Sequence, residues 1–464
     1  MGYLITCIFW VLVIWLIRRD TAQREGISSA VWIPTLWVGI LASREISRWL
    51  GFGGSTDVME GSPLDRLVYL GLFVAAWYTL VRRGLNWGKI ISANWPVFLF
   101  YAYLLISVLW ADAVFVSFKR WFKEFGNILM VLVILTEVDW QQAFRAVFVR
   151  CAYVLIPLSV IFIRYFPELG RRYSIHSGGM EVTGVTTQKN SLGAMVLVCS
   201  LVLIWDWMER SRPDARRQVR WERYLPAIVL GIGVYLLFLC DSKTSIACLI
   251  VGAGILAATR MPLFRQKICS LFIVVLTACL VLFALDSAFG IKEALIHSMG
   301  RDMTFTGRTD VWRELLASKT DPVLGTGFCS FWSDPHFQSK LPEWLAEGRS
   351  AHNGYLELYI DGGYVGLLFL ATMLIAVGIR INRELALGGN YAVVRFAVFV
   401  VMLIGNFSES HFARMTPLGF LFLLVAIGSV PPEAMPETWG QSAEELEVEE
   451  IGSTRDDADK VATF

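Results

Sequence analysis

Charged residues are scarce in this chain. Asp, Glu, Lys and Arg make up 17% of it, against about 25% in an ordinary soluble domain. With 55% hydrophobic residues, 18 Trp and 30 Phe, that deficit excludes a disordered chain and argues against a soluble enzyme. Neither sign of charge is in excess: the net charge is +1, so nucleic acid has no electrostatic footprint to bind. The eight cysteines follow no metal-ligand spacing. Cys7, Cys151, Cys199, Cys240, Cys248, Cys269 and Cys279 lie in or beside apolar blocks, where Cys behaves as a small hydrophobe. Only Cys329 falls in a polar stretch, so no disulfide framework is expected. There is no Walker A loop and no H-E-x-x-H, which closes those routes to nucleotide hydrolysis and zinc chemistry. The one D-x-D, Asp457 to Asp459, stands in a C-terminal charge run. No cofactor, no metal and no nucleotide-sugar donor are expected. No period of 20–50 residues repeats, so a solenoid is excluded.

The apolar residues come in blocks of roughly 16–23, the length that crosses a ~30 Å hydrocarbon core at 1.5 Å per residue. The expected spans are 3–17, 28–42, 67–81, 93–110, 120–136, 144–164, 191–208, 224–240, 244–259, 268–288, 354–379, 391–406 and 415–430. The second is interrupted by Pro34 and followed closely by Arg44. Arg18 and Arg19 follow the first apolar run instead of preceding it, which reads as a retained helix and not a signal peptide. The fold class is therefore an all-α polytopic membrane protein of about 12–13 spans. Residues 1–430 form the transmembrane domain, including a long loop at 289–353. Residues 431–464 are Pro-, Glu- and Asp-rich and read as a disordered cytoplasmic tail.

Arginine and lysine collect in "RRDTAQRE" (18–25), "VRRGLNWGK" (81–89), "ERSRPDARRQVRWER" (209–223), "TRMPLFRQK" (259–267) and "RINRE" (380–384). With thirteen spans all five fall on one side, which the positive-inside rule makes the cytoplasm. The opposite face receives 165–190, "DSKTS" (241–245), the loop 289–353 and "FSESHFARM" (407–415). A loop of that length exceeds a connector.

Each polar segment offers a candidate. In "FTGRTDVWRELLAS" (305–318), Arg308 precedes an expected helix that Thr309 or Asp310 can cap. A guanidinium beside a helix start suits an anion, and a surface arginine is the plain alternative. In "RSAHNGYLELYIDGGYVGLL" (349–368), Ser350 can cap the returning helix and set His352 and Asn353 in its first turn. A neutral His there can act as general base, or merely hydrogen-bond a carbonyl. Gly362 and Gly366 form G-x-x-x-G, a mark of close helix packing. Lys243, between two apolar spans, is a cation near hydrocarbon and so a functional candidate, with Asp241 offering a structural ion pair instead. Lys189 and Asn190 stand at the start of a span, and Arg164, Arg171 and Arg172 add charge on the same face. Glu409 and His411 complete that face, each readable as a solvated loop residue.

Taken in order, "QKNSLG", "DSKTS", "GRTDVW" with "PVLGTGF", and "AHNGYLELYIDGGYVGL" resemble the O-antigen ligase and polymerase superfamily over about residues 180–420. The resemblance implies a membrane glycosyltransferase of the C type. Such enzymes take a glycan from an undecaprenyl-pyrophosphate carrier at the periplasmic face of the bacterial inner membrane, without metal. It implies ligation to lipid A–core as the first reading and repeat-unit polymerisation as the second. The family's essential His matches His352, and its loop Arg matches Arg308. Its Arg after the short turn matches Lys243, which keeps the charge but lacks the bidentate fork. Gln188 stands where the family often has a second His. Lys189, Asn190, Arg172 and Asn353 become candidates for holding donor or acceptor. A flippase or transporter is the rival of another class, but it should show internal repeats and mid-membrane charges.

The topology can be tested directly. A single cysteine placed at Ser318 on a cysteine-free background should react with an impermeant maleimide in intact spheroplasts. Reaction only after lysis would reject the orientation.

Overall fold

The structure is a computed structural model, described for residues 2–24, 26–52, 62–173, 179–211, 224–258, 308–318, 320–334, 337, 339, 350–428, 430 and 434–435. Its helices of ten residues or more are α1 (Gly2–Gln23), α2 (Trp32–Leu41), α3 (Pro63–Arg82), α4 (Trp95–Ser107), α5 (Val114–Leu135), α6 (Trp140–Tyr165), α7 (Lys189–Arg210), α8 (Leu225–Leu239), α9 (Lys243–Ala258), α10 (Arg308–Ala317), α11 (Gly354–Ala386), α12 (Asn390–Gly405) and α13 (Pro417–Ile427). Each expected span falls on one of these, except 268–288, which lies outside the described residues. The chain is an all-α polytopic membrane protein. Among the described residues the sole sheet is a hairpin of β1 (Arg171–Tyr173) with β2 (Met180–Val182), which helical periodicity could not announce.

Length separates the spans. Among the described residues, α1, α3, α6, α7 and α11 are long and apolar enough to cross a membrane. Helices α2, α8, α9, α12 and α13 are apolar but shorter. The α13 side chains from Phe420 to Ile427 are all buried, so this helix is packed inside the bundle. Helices α6 and α7 are largely buried and central, whereas α1 and α3 show most of their apolar surface outward, as lipid-facing helices do.

The two ends of the bundle differ in chemistry. At one end, buried arginines are matched by acids. Asp20 accepts from Arg24 at 2.7 Å and from Arg150 at 2.9 Å. Asp206 accepts from Arg210 at 2.6 Å, and Arg83 pairs with Glu137. Asp20–Arg150 ties α1 to α6, and Arg24 and Arg145 reach Asp206 of α7 at 3.7 and 3.8 Å. Ala434 is buried at the same end, its carbonyl accepting from Asn86 N at 3.0 Å. Apart from Met435, the rest of the expected tail lies outside the described residues.

The opposite end is shaped by a helix break. Helix α11 is interrupted at Gly363, whose φ is 59° and ψ −158°. A break orphans backbone groups that must be satisfied elsewhere. Here the segment 322–327 supplies the partners. Thr326 N and Gly327 N donate to the carbonyls of Ile360 and Asp361 at 2.8 and 2.9 Å. Tyr364 N and Val365 N donate to Pro322 O and Val323 O at 2.9 and 3.1 Å. Tyr103 of α4 donates its hydroxyl to Gly362 O at 2.5 Å. Gly362 and Gly366 face that tyrosine ring, a Cβ on either lying 3.1 or 3.3 Å from it, so the expected close packing is against α4.

Any side chain at 363 would be strained in φ, and its Cβ would stand 2.2 Å from Val323 O. Gly363→Ala should destabilise the chain by at least about 1–3 kcal/mol. Thermal unfolding in detergent, followed by size-exclusion fluorescence, should show a lowered midpoint. An unchanged midpoint would mean that the break is not required.

Candidate functional site

The N-terminal ends of α7, α9, α11 and α13 gather around one segment, 406–416. Gly354 N donates to the carbonyls of Asn406 and Glu409 at 2.8 and 3.1 Å. Only glycine fits at 354, since a Cβ would lie 2.0 Å from Asn406 Oδ1. That oxygen accepts from His411 N at 2.9 Å and folds the segment back on itself. Thr244 of α9 meets Ser408, with 2.7 Å between hydroxyl oxygens. Gly193 lets α7 approach α9, a Cβ there lying 2.6 Å from Ser242. Thr416 caps α13 by accepting from Gly419 N at 3.1 Å. Each helix start carries a partial positive charge. Their convergence makes this end electropositive before any side chain is counted.

The carboxylate of Glu409 occupies the centre. Its Oε1 accepts from Asn190 Nδ2 at 2.8 Å, and its Oε2 lies 3.2 Å from His352 Nδ1. Asn190 and His352, far apart in sequence, are thus joined through one acid that the sequence named only as a possible loop residue. His352 itself has φ 48° and a side chain about one-third exposed.

The local fold around His352 differs from the expected one. Ser350 does not cap α11; its hydroxyl accepts from His352 N at 3.1 Å. Asn353 is the cap, its Oδ1 accepting from Tyr355 N and Leu356 N at 3.0 and 3.1 Å. His352 therefore precedes the helix. Asn is at least as good a cap as Ser, and the glycine requirement at 354 fixes where the helix starts. Ala351 is clamped on both sides: its N donates to Glu357 Oε1 at 2.7 Å, and its carbonyl accepts from Trp312 Nε1 at 2.9 Å.

That second contact docks α10, which begins with Arg308. Val311 and Leu315 of α10 pack with Phe331, Trp332, Ala351 and Ile360 in a small core of their own. The structure thus sets the start of the Arg308 helix beside the His352 turn; the Arg308 side chain lies outside the described residues. Beneath this core, Arg414 donates to Asp361 at 2.7 Å and to Glu357 at 3.3 Å.

The other candidates form a rim. Lys189 Nζ is 3.0 Å from Glu181 Oε1, and Glu181 is in register with Arg172 across the hairpin. Arg172 is exposed. Lys243 pairs with Asp241 at 2.5 Å, and both are more than half exposed. The ion pair considered from sequence is therefore present, but Lys243 is not buried near hydrocarbon, and such a pair is screened by solvent.

A cavity of about 400 Å³ opens on the other side of Glu409. Its far wall is Arg44, Arg48, Tyr69 and Lys123. Sequence reasoning missed these, although Lys123 inside an apolar span was a usable signal. Arg44 pins the 165–190 segment, donating to Gly184 O at 2.9 Å, to Thr186 O and to Leu169 O. His411 also lines the cavity, with its Nδ1 3.1 Å from Thr416 Oγ1. Among the described residues no group of three or more His, Cys, Asp and Glu is arranged to hold a metal.

Burial pushes the His411 imidazole down from 6.5 to about 4, outweighing the opposing charge of Glu409. The unfolded chain then binds the extra proton between those two values. Stability from this group is complete above pH 6.5 and is lost as pH falls towards about 4. The unfolding midpoint of the protein should therefore drop more steeply over that window than that of His411→Gln. Parallel profiles would remove His411 as the cause.

Residues 226–371 match the family model described as O-antigen ligase. The chain is also 25% identical over 324 residues to exopolysaccharide production protein ExoQ of Rhizobium meliloti (strain 1021), covering 67% of this chain and 69% of that protein. The matched family segment contains Lys243, Arg308, His352 and Asn353, while Arg172, Lys189, Asn190 and Glu409 lie outside it. Both similarities point to the O-antigen ligase and polymerase superfamily, which the chain resembles.

Proposed function

We propose that the chain is a metal-independent glycosyltransferase. It moves a glycan from an undecaprenyl-pyrophosphate carrier to an acceptor hydroxyl at the periplasmic face of the inner membrane. The observation that carries the reading is the Asn190–Glu409–His352 chain at the meeting point of helix N-termini. Ionised Glu409 accepts from the imidazole and holds the proton on Nδ1. Nε2 then has a lone pair to take the acceptor's proton. The freed oxygen attacks the anomeric carbon, and the bond from that carbon to the phosphate oxygen breaks. The diphosphate leaves with the electron pair. Arg308, Lys243 and the positive helix ends would stabilise that charge. Lys189, Asn190, Arg172 and Asn353 would hold donor and acceptor, Asn190 and Asn353 through their fixed places beside Glu409 and the α11 cap.

Ligation to lipid A–core is the first reading of the acceptor. Repeat-unit polymerisation is the second, and similarity to a protein named for exopolysaccharide production favours it. Purified protein given the lipid-linked donor and either lipid A–core or a glycan acceptor, with EDTA present, separates the two by product. His352→Ala and His352→Gln should each lose transfer by roughly 10²–10⁴-fold, the usual worth of a positioned base, while still binding donor. Arg308→Ala should be inactive in membranes that contain it at normal level. Lys243→Arg should keep activity and Lys243→Ala should not. Near-normal product from His352→Gln would overturn the base assignment, and a strict need for divalent metal would overturn the mechanism.

A further inference from the structure

The cavity beside Glu409 is built largely from the N-terminal half of the chain, outside the matched family segment. Its walls combine three features. Thr186, Thr187, Gln188, Ser191 and Thr416 present hydroxyl and amide groups. Tyr69 and Met415 supply flatter apolar surface. Three cations, Arg44, Arg48 and Lys123, outnumber the two carboxylates, Glu45 and Glu409.

The cations are not equally occupied. Arg44 is spent on backbone carbonyls. Lys123 lies with its ammonium 4.7 Å from the centre of the Tyr69 ring and makes no ion pair among the described residues. The charges of Glu45 and Asp65 reach it without forming a direct ion pair. Asp65 is already held by Ser47, accepting from its N at 2.9 Å and its hydroxyl at 2.5 Å. Of the two carboxylates in the wall, Glu409 is committed to Asn190 and His352. A half-buried ammonium with no direct ion pair among the described residues, in a cavity lined by hydroxyls and amides, is completed by a ligand that is both polyhydroxylated and acidic.

We infer that this cavity is a subsite for an acidic sugar residue. Its carboxylate binds Lys123 and Arg48, and its hydroxyls meet the Thr186–Ser191 wall. The subsite touches the reaction centre through Glu409, so it would select which sugar sits next to the transferred bond. The inference rests on the glycan-transfer reading for the sugar's source, but sugar binding itself needs no turnover.

The test uses the full chain in lipid nanodiscs without donor lipid. The probes are a hexuronate-terminated disaccharide, the methyl ester of that disaccharide, and inorganic pyrophosphate. Binding is measured by calorimetry and by saturation-transfer NMR. The acid should bind about tenfold or more tightly than its ester, as a charge-assisted contact warrants. Lys123→Gln should erase that preference, Lys123→Arg should restore it, and Arg48→Gln, an exposed position, should weaken it in a normally folded protein. Pyrophosphate should not displace the sugar. Equal binding of acid and ester, no binding of either, or displacement by pyrophosphate would overturn the inference; the last would make this a diphosphate site. A transfer-inactive protein that still prefers the acid would refute the transfer reading and leave the subsite standing.

Discussion

The carboxylate of Glu409 is shared by two helix starts that the sequence keeps far apart. One oxygen takes the amide of Asn190 at the first turn of α7, and the other faces the imidazole of His352 just ahead of α11. Hydrogen bonds to a charged group contribute about 1.5–3 kcal/mol each, enough to set the register of both helices against segment 406–416. That segment is in turn folded by Asn406, which accepts from His411 and Phe412 and so turns the backbone to present Glu409. The imidazole orientation therefore depends on a polar network running through three separate parts of the chain.

A second constraint acts from the other side. The break at Gly363 frees backbone groups that the 322–327 segment satisfies, and this fastens the long loop's second half to α11. The same fastening leaves Phe331 and Trp332 buried against Ile360, where they receive α10. Trp312 then reaches Ala351, the residue before His352. Phe328, Phe331 and Trp332 are all buried. Phe331 and Trp332 form the apolar surface on which the Arg308 helix rests.

What could be read from sequence follows the physics of each signal. Apolar runs are contiguous, so helix positions were legible from 3–17 through 244–259 and from 354–379 through 415–430. Helix length was less so, because a run of hydrophobes does not say whether it faces lipid or the interior, as in α13. The break in α11 was hidden since G-G within an apolar run also reads as helix packing, and Gly362 does serve that end. His352, Arg308 and Lys243 stood out through ordered motifs. Glu409 did not, because its importance lies in two contacts of long sequence separation and nothing local distinguishes it from a solvated loop acid. The Ser350 cap was a fair local choice, overridden by the fit of Gly354 against Asn406.

In the proposed transfer, Glu409 and His352 act as one unit. A double-mutant cycle of His352→Gln and Glu409→Gln, read as the single-turnover transfer rate with saturating donor, tests it most directly. Strong non-additivity is expected: with His352 already replaced, removing the Glu409 charge should cost little more. Independent, multiplicative losses would contradict it, since they would mean that the carboxylate does its work without the imidazole.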